Sequence, residues 1–316
     1  MPFKFTKNLL LQIVLGEKIN EKILPAEILE SNFTFLNDIS NVVRNRVKDS
    51  LAFLGEKIVI DEFVSGKMLR SQFAVKMAGN SNLINSTTFC NACAAIELVH
   101  TASLCHDDVI DRADERRKKD SLWKQIGNSG AILTGDLLLI NATTLLAMSD
   151  EKSYLPAFLN KITEMIETES EQELLLRGIQ IDEATSLRIA RSKTGSLFAF
   201  LGHVCGDGDE RLSKTLEEAG YLIGAIYQLA DDIFDVVSSD EVAGKTLGTD
   251  NKRGKLTLPQ TGNDGIKATV ALIKEQYFRA IEILAPYPEK QDALKLFISE
   301  DIKPIIKQHD FQIAFI

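Results

Sequence analysis

Two short acidic clusters stand out as residues that could do chemistry. Asp107 and Asp111 lie four residues apart, and Asp231 and Asp235 repeat that spacing. On a helix both members of each pair share one face, while Asp108 and Asp232 point about 100° away. Like charges at that spacing destabilise a bare helix by a few tenths of a kcal/mol, and carboxylates near a helix C-terminus also oppose the macrodipole. Built twice, this pattern requires a compensating cation. Carboxylate-only ligands suit a hard ion, and Mg2+ prefers a few carboxylates together with phosphate oxygens and water. LCHDDVID over 104–111 and LADDIFD over 229–235 each close a long apolar stretch, so both clusters are expected to face one cavity. Solvated acidic helix ends are the plain alternative, and the repetition argues against it.

Basic residues are interleaved with these clusters. Lys67 and Arg70 lie three apart in SGKMLRS, and Arg116 and Arg117 follow the first acidic cluster. Lys193 and Thr194 belong to RSKTGSLF, and Lys245 and Lys255 to a glycine-rich run. Each alone reads as an ordinary surface charge. Together they suit diphosphate oxygens, which Arg and Lys bind readily. An acidic wall holding Mg2+ and a basic wall facing it would accommodate two diphosphates.

The elements that must position these residues are helices. Apolar residues recur at three and four over 26–54, 86–111, 131–148, 154–176, 212–237 and 266–284, with a shorter run at 293–298. Ser86 or Thr87 is a natural N-cap, and alternating strand patterns are absent. The expected fold is all-α, a single large helical bundle around a central cavity, forming one domain over 1–316. The main irregular segment, 238–265, is too long for a simple bundle connection and is expected to be functional.

Composition narrows the function. The 316 residues carry 36 Lys plus Arg against 45 Asp plus Glu, a net charge of -9, which argues against a sequence-independent nucleic-acid binder. With 45% hydrophobic and 26% charged residues, general disorder is excluded. Gly, at 19, and Pro, at 7, are scarce, as helices require. The longest strongly apolar run, 137–149, falls short of the roughly 18 residues of a membrane span. The N-terminal MPFKFTKNLLLQIVLGEK reads as an amphipathic helix rather than a signal peptide. Cys90, Cys93, Cys105 and Cys205 form no disulfide framework and are expected to be buried thiols, so a cytoplasmic location is expected.

These residues carry a family resemblance. GKMLR at 66–70, ELVHTASLCHDDVIDRADERR at 97–117, GD at 135–136, KTGSLF at 193–198, YQLADDIFD at 227–235 and GKTLGTDNKRGKLTLP at 244–259 together resemble the trans-type isoprenyl diphosphate synthases, specifically the polyprenyl branch. The resemblance implies the isoprenoid synthase fold and condensation of isopentenyl diphosphate with an allylic diphosphate (geranyl, farnesyl or geranylgeranyl), with three Mg2+ ions. It implies that Asp107, Asp111 and Asp231 coordinate Mg2+, supported by Asp108, Asp232 and Asp235. Arg116, Lys193 and Lys245 would hold the allylic diphosphate, with Lys255 also binding substrate. Lys67, Arg70, His100 and Arg117 would hold isopentenyl diphosphate, and Thr194 and Gln228 would flank the allylic carbon. A homodimer that hands its product to membrane enzymes is expected. The family usually has two glycines before the lysine of its first basic motif and a proline after the arginine; here Ser65 precedes Gly66, Ser71 follows Arg70, and Met68 replaces a frequent arginine. The C-terminal FQIAFI lacks a basic ending and is expected to pack at a dimer interface or to be disordered.

Chain length is read from the helix below Asp107. One turn, about 5.4 Å, is close to one isoprene unit. Ala102 and Ser103 are small where short-product relatives tend to be aromatic, and Leu139 stands in the leucine run after the GD. A medium-to-long product of about C30–C50 is expected. The alternatives are a short-chain farnesyl or geranylgeranyl synthase and an HD-type phosphohydrolase using His100, His106, Asp107 and Asp231. A non-catalytic partner subunit and a diphosphate-ionising cyclase are further readings.

Overall fold

A computed structural model describes residues 26–52, 66–79, 81–116, 119–149, 154–237 and 254–302. The expected N-terminal helix, the C-terminal FQIAFI, Arg117 and Lys245 lie outside these residues. The described part is helical: α1 (Ala26–Leu51), α2 (Leu69–Ala78), α3 (Thr87–Ile110), α4 (Leu122–Ala147), α5 (Tyr154–Leu174), α6 (Glu183–Ala190), α7 (Ser196–Val204), α8 (Glu210–Val237), α9 (Asn263–Ile283) and α10 (Pro288–Phe297).

Local sequence explains most boundaries. The Ser86 hydroxyl accepts the Phe89 N–H at the start of α3, the expected N-cap. The Asp182 carboxylate does the same for Thr185 at α6. Of the expected irregular segment 238–265, residues 254–265 are described, and they are partly regular. Thr257 and Gln260 form a capping box on a 3-10 turn at Leu258–Thr261, and α9 begins at Asn263. A two-residue antiparallel ladder pairs Glu115 with Asp120 and Arg116 with Lys119, a departure from the expected absence of strands. It is too short to show as an alternating pattern. Helix α4 starts earlier than its periodicity implies because Gly127, at φ 79° and ψ 165°, joins two helical pieces across a kink.

The core is one contiguous cluster drawn from these helices. Phe35, Ile39, Val43, Val47 and Leu51 line one stripe of α1, each worth about 1.5–3 kcal/mol when fully buried. Phe73, Phe198 and Phe297 meet edge to face at 5.5–6.5 Å, tying α2, α7 and α10 together. Helix α8 comes very close to α7 and to the turn that enters it. A Cβ on Gly224 would lie 2.3 Å from Gly195 Cα, and one on Gly202 would lie 2.1 Å from Leu216 O. Only glycine permits that separation. The four cysteines are free and buried, and burial pushes Cys90 up to about 11 and Cys105 to about 12. They are inert packing groups at neutral pH.

A polar cluster braces the outer side of this layer. Lys161 on α5 pairs with Glu217 and donates to Tyr221 Oη at 2.7 Å, and Tyr221 donates to Glu164. His203 Nδ1 lies 3.4 Å from Glu217. His203 and then Lys161 draw the Glu217 carboxyl down from 4.5 to about 2. A depressed carboxyl stabilises the fold above its unfolded pKa, and that contribution is lost as pH falls from 4.5 toward 2. Glu217→Gln is therefore expected to cost about 2 kcal/mol in denaturant unfolding at pH 7 and nothing near pH 2. An equal cost at both pH values would contradict this assignment.

Candidate active site

Helices α3 and α8 bring the two acidic clusters to one cavity of about 610 Å3. Asp107 and Asp111 enter from the end of α3, and Asp231, Asp232 and Asp235 from the end of α8. The helix phase explains the selection. Asp107 faces the space, whereas Asp108, one position on, is buried against Arg116. Arg116 Nε lies 2.8 and 2.9 Å from the two Asp108 oxygens, and Arg116 Nη2 lies 2.6 Å from Oδ1. The ladder at Glu115–Arg116 turns this arginine back over α3.

The Lys193–Thr194 pair sits on a single π-helical turn, Arg191–Gly195, between α6 and α7. A π turn inserts one residue into the helix, and such turns are frequent at functional sites. Both side chains line the cavity. Thr194 Oγ1 donates to Gln228 Oε1 at 2.6 Å, and Gln228 Nε2 donates to Asp232 Oδ1 at 2.9 Å. The threonine, the glutamine and the second acidic cluster thus form one hydrogen-bonded chain.

The basic residues divide. Arg70 and His100 line the cavity, and the Arg70 guanidinium lies 5.5 Å over the Phe198 ring. Burial lowers the pKa of Arg70, against the opposing pull of Glu97. Ser71, where the family resemblance implies proline, has an N–H to use. Its N–H and hydroxyl both donate to Glu97, at 3.1 and 2.7 Å. Lys67, three residues earlier, is exposed and lies outside the lining, because Met68 at φ 48° turns the chain before α2 begins. Lys255 is buried, 3.5 Å from Asp111 and 3.1 Å from Glu169, and it also pairs with Glu173.

Glu169, Gln172 and Glu173 escaped the motif reading. Lys193 pairs with Glu169 and lies 3.3 Å from Gln172. The available signal was positional: Glu169 and Glu173 continue the buried stripe of Ile162 and Met165 at four-residue steps. Acids in the apolar phase of a helix require partners.

The apolar part of the lining comes from Leu104, Leu139, Met165, Ile166, Ile189 and Leu197. Ser103 lines the cavity with them, four residues before Asp107 and on its face. Ala102 does not. It is fully buried in the wall, because five residues turn the helix about 140° away from Asp107.

The donor set fits magnesium shared with phosphate. Burial pushes the Asp107 carboxyl up to about 6 despite Lys193, with Glu169 and Asp111 adding to the push. Burial there disfavours the Asp107 charge, which a bound cation would favour. Among the described residues no three His, Cys, Asp or Glu side chains converge as a closed metal site.

Residues 56–299 match the family described as Polyprenyl synthetase. The octaprenyl diphosphate synthase of Haemophilus influenzae is 32% identical over 220 residues, 66% of this chain and 65% of that protein, so the match spans just under two thirds of the relative. Heptaprenyl diphosphate synthase component 2 of Bacillus subtilis is 30% identical over 274 residues, 83% of this chain and 78% of that one. A crystal structure of a polyprenyl synthase from Caulobacter crescentus, complexed with calcium and isoprenyl diphosphate, superposes with a TM-score of 0.74. It covers 90% of this chain and 97% of that one at 23% identity, which shows the shared fold. The chain belongs to the polyprenyl synthetase family.

Proposed function

We propose that this chain is a cytoplasmic prenyltransferase. It condenses isopentenyl diphosphate with an allylic diphosphate and releases diphosphate, building a medium-to-long polyprenyl diphosphate. The observation that carries the reading is the pairing of two carboxylate-bearing helix ends across one cavity, with the Thr194–Gln228 pair bonded to the second of them. The names of the heptaprenyl and octaprenyl relatives support a product in this range.

Asp107, Asp111, Asp231, Asp232 and Asp235 would hold magnesium, three ions by the family resemblance, which would supply charge neutralisation for the leaving diphosphate. Lys193 and Lys255 would donate to phosphate oxygens once substrate displaces their carboxylate partners, and Arg116 would do so while keeping Asp108. The allylic C–O bond breaks and its electron pair leaves with diphosphate. The Thr194 hydroxyl and the Gln228 carbonyl turn oxygen dipoles toward the electron-poor carbon. The isopentenyl double bond attacks that carbon, and the proton lost from the adduct passes to the released diphosphate. Arg70 and His100 are placed to hold the isopentenyl diphosphate, and the apolar lining excludes water from the cation. Diphosphate release that depends on isopentenyl diphosphate is expected. Release from farnesyl diphosphate alone would favour a cyclase, and phosphate release from a nucleotide would favour the phosphohydrolase.

Ser103 sets one wall of the path for the growing chain. Ser103→Phe is expected to shorten the main product by about two or more isoprene units, at roughly one unit per helical turn. Product mass analysis checks this, and an unchanged product would contradict it.

We also infer a homodimer. Leu133, Leu137 and Ile140 lie at four- and three-residue steps on α4, are 62%, 37% and 64% exposed, and have Ile132 beside them. This is also the one described helix long and apolar enough to cross a membrane by length and composition, although 39% of its apolar window is buried in the fold. A second copy covers such a stripe by presenting the same face. The mass in detergent-free solution is expected to be twice that of the chain, and a monomer would contradict it.

A further inference from the structure

Two sequence features find no role in the chemistry above: His106, which precedes Asp107, and the GD at 135–136. They meet in space. His106 Nε2 lies 3.2 Å from the Ile132 carbonyl oxygen and 3.3 Å from Asp136 Oδ1, both on α4. The imidazole ring rests on the backbone at Gly135, where a Cβ would lie 2.3 Å from Nε2 and 2.7–2.8 Å from the neighbouring ring carbons. The glycine sits inside a helix at ordinary helical dihedrals, where alanine would normally be preferred by about 1 kcal/mol. Its absence of a side chain is explained by the ring lying over it. A carbonyl oxygen only accepts, so Nε2 carries the hydrogen and the contact is directional.

The consequence falls on the next residue. His106, Asp107 and Asp108 are about 100° apart around α3. His106 is fixed to α4, Asp108 is fixed by Arg116, and Asp107 between them points into the cavity. We propose that His106, seated on Gly135 and bonded to Ile132 beside Asp136, is a positioning residue that holds Asp107 at the angle from which it binds magnesium. The inference rests on the functional reading above.

The test uses the full chain, with Mg2+ and inorganic diphosphate as probes. It reads the Mg2+ concentration that gives half-maximal thermal stabilisation by diphosphate, beside the Tm of the ligand-free protein. His106→Ala is expected to raise that concentration about tenfold, the size of effect seen when a group supporting a metal ligand is removed. Gly135→Ala is expected to do the same through displacement of the ring, with little change in the ligand-free Tm. The double variant is expected to match His106→Ala alone, because the added methyl then has no ring to displace. His106→Gln, whose amide can still donate to Ile132 O, is expected to recover most of the loss, whereas His106→Leu is not. An unchanged Mg2+ requirement in Gly135→Ala, or effects that multiply in the double variant, would overturn the proposal. A wild-type protein that diphosphate and Mg2+ do not stabilise would instead overturn the functional reading, and the positioning role with it.

Discussion

Asp107→Asn is expected to lower kcat about a thousandfold while making the ligand-free protein more stable. The two effects have one cause. Asp107 is placed for a cation, and without the cation its charge is a burden. Burial drives its pKa from 3.8 to about 6, beyond what Lys193 offsets. A carboxyl raised in the folded state binds its proton more tightly there than in the unfolded chain. The fold therefore loses stability as pH rises from about 4 through 6, and the loss is complete at neutral pH. Asparagine removes that loss, a gain of about 2 kcal/mol at pH 7 allowing for partial solvent access. Below pH 4 the two proteins should unfold alike. Thermal unfolding in a chelator at pH 7 and pH 4, beside steady-state kinetics, measures both effects. A variant as active as wild type would remove Asp107 from the site, and one less stable at pH 7 would mean its carboxylate is compensated within the protein.

Gly224→Val is expected to damage the fold severely. Its Cβ would lie 2.3 Å from Gly195 Cα and 2.7 Å from Gly195 N, and backbone atoms cannot rotate aside as a flexible side chain would. Separating α8 from the turn before α7 opens the core on both sides and leaves voids along Phe198 and Ile223, which are buried there. A loss of about 4 kcal/mol is expected in denaturant unfolding. Activity should fall even where the protein still folds, because Gly195 ends the π turn that carries Lys193 and Thr194. A denaturation midpoint equal to wild type would show that the two backbones are not in contact.

These two sites also show what was legible in the sequence. The acidic pairs and the helices that carry them were readable because a four-residue spacing and an apolar period are local properties. The all-α architecture followed from the same periodicity. The lysine–threonine motif was visible, but its π turn was not. Nothing in RSKTGSLF marks an inserted residue, which is fixed by the backbone contact between Gly195 and Gly224, 29 positions apart. Ala102 and Ser103 looked equivalent as small residues, yet a rotation of one position puts only Ser103 in the cavity. Lys67 was grouped with Arg70 by spacing, and a left-handed Met68 separates them. Glu169 and Glu173 belong to no motif and became visible only when Lys193 and Lys255 came to rest on them.

The central claim is that one cavity joins two diphosphates by a carbon–carbon bond. Mass analysis of the products formed from farnesyl diphosphate and isopentenyl diphosphate with Mg2+ tests it most directly. Prenyl diphosphates that grow in five-carbon steps to about C30–C50 are predicted. Farnesyl diphosphate recovered unextended, or converted to a product of no more carbons than it began with, would contradict it.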